Sequence, residues 1–393
     1  MPRSAPVSRR ARAHLPLILS ATVLLSATVA HAGPREQAKT LFDRLTGTPP
    51  NAAQLDSMAQ QITDGDPTAA ALDATLNASF YDVTLKNFIA PATNRDQSVF
   101  VPLNDYTATF IGMVRDDVPM NTLLSADLVY VGNAAQNLPN YSAANNDHYV
   151  ALEERGLSLR DVLESRTQSS LTNLPASATA GIMTTRGGAE AFFIDGTNRA
   201  MFRFTLLNHL CDDLEQVADT TKAPDRIRQD VSRSPGGDSR LFLNNCIGCH
   251  SGMDPLAQAF AYYDFDETIG QLVYTDGQVQ PKYGINENTF EFGFVTPDDR
   301  WDNYWRTGRN ERIGWDPARP GFGNGAKSLG EELANTEEFA SCQVTKVFRN
   351  VCLRDPVDSV DRTWVNNRAD DFANNGYSLR HVFADAAVYC MGE

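Results

Sequence analysis

Five consecutive residues carry the clearest chemical signal in this chain, and they read Cys246-Ile247-Gly248-Cys249-His250. Two thiols three positions apart can add across the two vinyl groups of one haem, and the adjacent imidazole can then bind the iron as an axial ligand. The pattern is typical of c-type haem attachment. It therefore predicts one covalent haem c on Cys246 and Cys249, with His250 as a ligand of the haem iron.

Two other interpretations of the same residues remain as alternatives. One is a Cys246–Cys249 disulfide with His250 as a bystander, and the other is half of a zinc site. The sequence has no second Cys/His pair at zinc-site spacing. A thioredoxin-like site would need a βαβ context, which the sequence does not predict. The haem interpretation is therefore favoured.

The second axial position of the iron is left open by the sequence. The candidate ligands are Met183, His209 and Met120, of which Met183 in a predicted loop is preferred. Each of them could equally be a core residue. Met253 follows His250 too closely to reach the opposite face of a haem, and packing in the core is its expected role. His381 is expected to face solvent, and an open iron is a further alternative.

The N-terminal residues have the layout of a secretory signal peptide. A basic stretch contains Arg9 and Arg10, an apolar stretch covers 15–30, and Ala30-His31-Ala32 forms a small-x-small cleavage signal. The apolar stretch is too short and interrupted to span a membrane comfortably. Residues 1–32 are therefore predicted to be cleaved during export, and the protein is expected to be periplasmic or secreted.

Export places the remaining four cysteines where disulfides persist. Cys342 and Cys352 lie in one predicted helix, about 15 Å apart at the helical rise, so they should not pair with each other. Cys211 and Cys390 are expected on apolar stripes of their helices. The sequence predicts two disulfides, each joining one of the first two cysteines to one of the second two. Free buried thiols are the alternative.

The charge of the chain bears on its partners. The formal net charge is −15, and removal of a signal peptide with four Arg and no acidic residue takes it to −19. Such a surface argues against nucleic acid and anionic membranes as partners. It favours a redox partner protein with a basic surface, or simply solubility. No other stretch is apolar enough for a transmembrane segment in the mature chain.

The apolar spacing predicts a mainly α protein. Helices are expected at 35–46, 51–63, 67–90, 104–115, 197–214, 327–352 and 378–390. Asp254-Pro255 is expected to begin another helix that runs to Tyr262, and a hairpin is expected around 275–277. We predict a helical N-terminal domain at 33–195. A cytochrome c-like haem domain at 196–393 should follow, with an irregular insert, rich in aromatic residues and Gly, at about 264–326.

A family resemblance supports the haem interpretation. Residues 246–256, Ala259-Phe260 and Phe265-Asp266 resemble uncharacterised bacterial cytochrome c-like domains, in which Cys-x-x-Cys-His is followed by Met-Asp-Pro, a short helix and Phe-Asp. Residues 124–130 and 180–185 resemble the companion domain that usually precedes such a haem. The resemblance covers about 100–393 and implies an exported haem protein, without an established substrate. The long aromatic insert departs from the simpler members.

Electron transfer is the favoured function, because a haem with both axial positions filled cycles between two redox states with little reorganisation. The alternative is a periplasmic haem enzyme, peroxidase- or oxygenase-like, with an open distal site in which Arg186 could stand over the iron. A third possibility is a haem-bearing component of a larger secreted assembly. Whether the chain is an enzyme is left undecided by the sequence.

Overall fold

A computed structural model describes residues 32–392, and these are mainly helical. Apart from Ala32, the predicted signal peptide lies outside the described residues. The α-helices, in chain order, are α1 Pro34–Thr46, α2 Ala52–Thr63, α3 Pro67–Ala74, α4 Lys86–Ile89, α5 Asp105–Arg115, α6 Asp147–Glu154, α7 Leu159–Val162, α8 Gln168–Leu171, α9 Arg186–Phe192, α10 Arg199–His209, α11 Leu214–Val217, α12 Ser239–Leu241, α13 Ile247–Ala257, α14 Gly325–Ala334, α15 Glu337–Cys352, α16 Ser359–Asn374 and α17 Leu379–Cys390.

The strands are short and pair as antiparallel two-stranded ribbons. They are β1 Val129–Gly132, β2 Leu163–Arg166, β3 Tyr263–Asp266, β4 Gln271–Tyr274, β5 Arg300–Asp302 and β6 Phe322–Asn324. The pairs are β1 with β2, β3 with β4, and β5 with β6. The expectation of a mainly α protein is confirmed.

The first helices form where capping residues and apolar spacing agree. A capping box of Asn51 and Gln54 begins α2, and Asp66 caps α3 by accepting from the backbone N–H of Ala69. The single helix expected over 67–90 is wrong, because the Asn77 side chain accepts from the backbone N–H of Ser79 and competes with the helical pattern. A π-helical turn follows before α4.

The helix expected over 197–214 is also shorter than predicted. It is α10, and it ends at His209; Cys211 beyond it has a left-handed φ of 57°. Asp213 then begins a new helix, α11, through a capping box with Gln216. Cys211 therefore does not lie on a helical stripe, because a second capping signal interrupts the apolar pattern.

The hairpin in the insert uses a different turn from the expected one. Residues 267–270 connect β3 to β4, whereas residues 275–277 follow β4. Phe265 pairs with Leu272 in the ribbon. Most of the remaining insert consists of 3₁₀ turns and loops, as expected from its many Gly and aromatic residues.

At the C-terminal end, α16 was not expected from the sequence. Asp358 caps it, but its buried side chains are few, so its apolar pattern is weak. Helix α17 packs on α1 and α3, and α15 packs on α16 and α17. One hydrophobic cluster runs from Ala38 to Cys390, across the expected domain boundary near residue 195. The division into two domains stays a prediction.

Two disulfides hold the C-terminal helices. Cys211 bonds to Cys342 and Cys352 bonds to Cys390, with Cα–Cα distances of 5.4 and 5.5 Å. This is one of the pairings that the sequence predicts. Within residues 32–392, no helix has the length and apolar character needed to cross a membrane.

Candidate functional site

The Cys246–His250 motif lies at the start of helix α13. Asp238 caps α12, and the chain then passes through one π-helical turn, Phe242–Cys246, into α13. Such wide turns are frequent at functional sites, because the extra residue changes where the following side chains point. Cys249 and His250 therefore project from the first turn of α13.

The two thiols of the motif are free and only partly buried. Cys249 Sγ donates a hydrogen bond to the carbonyl of Leu214 at 3.3 Å, and burial raises the pKa of its thiol. The structure therefore lacks the Cys246–Cys249 disulfide that the sequence left as an alternative. The other four cysteines are bonded in pairs elsewhere, so these two thiols remain for chemistry.

The imidazole of His250 is held by a carboxylate one helical turn away. Its Nδ1 lies 3.1 and 3.2 Å from the two carboxylate oxygens of Asp254, whose side chain is fully buried. A carboxylate accepts the proton on Nδ1, so the neutral ring then carries its lone pair on Nε2. His250 is thereby prepared to bind a metal through Nε2.

A buried network of charges fixes that carboxylate. Arg199, the first residue of α10, donates to Asp254 at 2.7 and 3.0 Å and to Asp230 at 2.7 and 2.8 Å. Burial by itself raises the pKa of Asp254, but Arg199, His250 and Arg228 outweigh that effect and hold the pKa well below its ordinary value. Asp254 is thus a charged, immobile hydrogen-bond acceptor for His250.

The role of Asp254 corrects the expectation from the sequence. Asp254 and Pro255 were expected to begin a helix, but both lie inside α13, which begins eight residues before Pro255 at Ile247. Proline is tolerated there although it removes one helical hydrogen bond. The signal that could have found the contact is the spacing: residues four apart on a helix share a face. Arg199 and Asp230, distant in sequence, gave no such signal.

Removal of the buried carboxylate is expected to destabilise the fold strongly. In Asp254→Ala, Arg199 keeps only Asp230 as a partner and His250 loses its acceptor. The free energy of unfolding should therefore fall by about 3–5 kcal/mol. Urea unfolding measures this difference. The matched control is Asp56→Ala, which removes a carboxylate from a mostly exposed ion pair with Arg35 and should cost about 1 kcal/mol or less. Equal losses in both variants would contradict the network.

An apolar wall flanks the thiols. Ile227, Val231 and Phe242 form a small buried cluster, separate from the main core, and Cys246 and Ile247 pack against it. Two further apolar side chains of the same segment are exposed, Leu241 to 44% and Leu243 to 53%. Cys246 is therefore bordered by apolar side chains on the protein side, and apolar side chains shortly before it in the chain are open to solvent.

The aromatic insert reaches this wall. The backbone N–H groups of Phe290 and Phe294 donate to the carbonyls of Gln229 and Ile227, both at 2.9 Å. The approach needs Gly293, because a Cβ there would lie 2.6 Å from Cα of Gln229. We call residues 290–294 the aromatic strap. It places the insert beside the segment that holds the apolar cluster of Cys246, which the sequence did not predict.

The structure brings the two principal candidates for the second axial ligand to one small cavity, which the motif residues do not line. Met183 and His209 line one small cavity with Tyr106, and Cys246, Cys249 and His250 are not among its lining residues. His209 Nε2 lies 2.7 Å from the Tyr106 hydroxyl, and burial holds the pKa of His209 well below its ordinary value. His209 thus has the surroundings of a neutral core histidine. A ligand role for Met183 stays a prediction.

The remaining candidates have ordinary structural surroundings. Met253 and Met120 are buried in the main core, and His381 is exposed as expected. Arg186 forms an ion pair with Glu190 at 2.9 Å, one turn along α9. The core positions of Met253 and Met120 match the packing roles that the sequence allowed for them.

Comparisons with known proteins add no further argument. The chain matches no protein-family model, no curated protein and no solved structure. Within the part of the chain that the structure describes, no group of three or more His, Cys, Asp or Glu side chains is arranged to hold a metal ion by itself.

Proposed function

We propose that this chain is an exported c-type cytochrome that transfers electrons through one haem bonded to Cys246 and Cys249. One observation supports it above the others: two free, partly buried thiols are followed directly in the chain by an imidazole whose Nδ1 is fixed by a buried carboxylate. This set of groups suits covalent attachment and axial ligation together. The cytochrome c-like character of residues 196–393, the family resemblance and export belong to the same proposal.

The residues around the motif fit a haem. Cys246 and Cys249 would hold it by thioether bonds, and His250 would bind its iron through Nε2. A bound haem supplies reversible one-electron chemistry, and the protein tunes its potential by ligand, burial and hydrogen bonding. Leu241 and Leu243, five and three residues before Cys246 in the chain, are exposed, and an apolar macrocycle would cover such side chains.

The protein groups themselves have defined tasks in this proposal. Asp254 keeps the proton on Nδ1 of His250 and holds the orientation of the ring, and Arg199 keeps Asp254 ionised. A fixed ligand changes little between two redox states, which suits electron transfer. The acidic chain would draw a redox partner with a basic surface by long-range attraction.

Absorption spectra with carbon monoxide test the proposed function. We expect the protein, matured with haem-attachment machinery, to show a c-type spectrum that shifts on reduction and is unchanged by carbon monoxide, because a filled iron resists this ligand. The Met183→Leu variant tests whether Met183 fills the second axial position. If Met183 does so, the substitution leaves that position empty, and the variant binds carbon monoxide although the wild-type protein does not. A wild-type protein that binds carbon monoxide readily would contradict electron transfer and favour the haem enzyme.

A further inference from the structure

We infer that Arg233 binds the propionate carboxylates of the haem, with Arg228 as a second cation behind it. The inference rests on the proposed haem at Cys246 and Cys249 and assigns the part of the site that receives the anionic groups of the cofactor. Three features of Arg233 support this role: two unused donors, the excess of cations around it and its position near the motif.

Arg233 has a free pair of donors. Its Nη1 donates to the carbonyls of Val231 and Arg228 at 2.6 and 3.4 Å, and its Nη2 donates to the carbonyl of Ile227 at 2.9 Å. A guanidinium has five N–H groups, so the Nε–H and one N–H of Nη2 have no partner among residues 32–392. Two such neighbouring donors match the two oxygens of a carboxylate.

The guanidinium of Arg233 is also held in place. It stacks over the ring of Phe242 at 5.0 Å and over the ring of Phe290, in the aromatic strap, at 4.4 Å. Its side chain is partly buried, and no ion pair joins it to a carboxylate of the described chain. Arg233 is therefore a partly desolvated cation that backbone carbonyls and aromatic rings hold in place, and no carboxylate of residues 32–392 pairs with it.

The charged side chains in this part of the structure include more cations than anions. Arg199 and Arg228 lie against two carboxylates, Asp230 and Asp254, and Arg233 follows Asp230 by three residues. Arg228 is 3% exposed, its Nε lies 3.9 Å from Asp230, and its Nε and Nη1 have no hydrogen-bond partner among the described residues. Three cations against two anions leave room for the negative charge of a propionate.

The position of Arg233 links it to both ends of the motif. Phe242, under its guanidinium, belongs to the apolar cluster against which Cys246 packs. Burial lowers the pKa of Arg233, and the carboxylates of Asp254 and Asp230 oppose that effect. Asp230 lies three residues before Arg233 in the chain and is joined through Arg199 to Asp254, the acceptor of His250. A cofactor held by the motif would therefore meet this cation.

The midpoint potential of the haem-loaded protein tests the inference. Arg233→Gln removes a cation near the iron, which favours the ferric state, so the potential should fall by about 59 mV, a tenfold change in the one-electron equilibrium. Arg233→Lys keeps the charge and should lose less. The matched control is Arg240→Gln, since Arg240 lies six residues before Cys246 but is 82% exposed and paired with Asp238; its potential should stay at the wild-type value.

A second measurement uses the wild-type chain and needs no variant to fold. The full mature chain, produced without attachment machinery, is titrated with ferric haem and with haem dimethyl ester, whose propionates carry no charge. We expect haem to bind at least about tenfold more tightly. Equal affinities, or an unchanged potential in Arg233→Gln with normal haem attachment, would overturn the inference. A wild-type protein without covalent haem would overturn the proposed function itself.

Discussion

Replacing Cys246 or Cys249 by alanine is expected to abolish stable covalent attachment of haem, because each thiol forms one of the two thioether bonds. The measurement is the haem-peroxidase stain on a denaturing gel, with the same quantity of protein in each lane. His250→Ala should leave attachment impaired and change the absorption spectrum, because the iron loses its fixed ligand.

The matched control for the histidine is His381→Ala, because His381 is exposed on α17. It should retain the wild-type stain and spectrum. For the thiols, Met253→Leu changes a buried residue of the same helix with little change in volume and should also retain both. Persistent covalent haem in the Cys246→Ala, Cys249→Ala double variant would contradict the proposed attachment site.

Loss of either disulfide is expected to destabilise the folded protein strongly. The Cys211–Cys342 bridge closes 131 residues and the Cys352–Cys390 bridge closes 38. In the chain-entropy model, removing these bridges lowers the free energy of unfolding by about 5 and about 4 kcal/mol, respectively. The first loss is larger because the unfolded chain gains more conformational entropy when a longer loop is released. Urea unfolding of the paired variants Cys211→Ala with Cys342→Ala, and Cys352→Ala with Cys390→Ala, measures both losses.

Thiol counting checks the bridges independently of stability. Unreduced wild-type protein produced without attachment machinery should expose two alkylatable thiols on denaturation, on the peptides that contain Cys246 and Cys249. Peptide mapping should recover the two bridged pairs. Four additional alkylatable thiols, or a Cys342–Cys352 bridge, would contradict the structure, since both of those residues lie in α15.

The elements that the sequence predicts well are those in which one local signal decides the outcome. Asp66 followed by Pro67 begins α3 as expected, because capping and the fixed φ of proline act within a few residues. The same pair of residue types at Asp254-Pro255 also predicts a helix start, and there the prediction is wrong. There the side chain of Asp254 is used by Arg199 and His250, and tertiary contacts override the local preference.

The parts of the candidate site that the sequence could not supply come from distant segments. Arg199 and Asp230 meet Asp254 only in the folded chain, and the aromatic strap meets residues 227–229 through backbone hydrogen bonds that no side-chain pattern encodes. The left-handed φ of Cys211 likewise follows from a helix end and the capping box after it. The motif and the disulfide cysteines, in contrast, were evident from residue type and spacing.

The mass of the peptide that contains the motif reports directly whether haem is attached. Mature protein, produced with haem-attachment machinery, is digested without reduction and the peptide that contains Cys246, Cys249 and His250 is weighed. The proposed function predicts the peptide mass plus one haem, with no free thiol on either cysteine. A peptide with two free thiols, or with a Cys246–Cys249 disulfide and no haem, would contradict it.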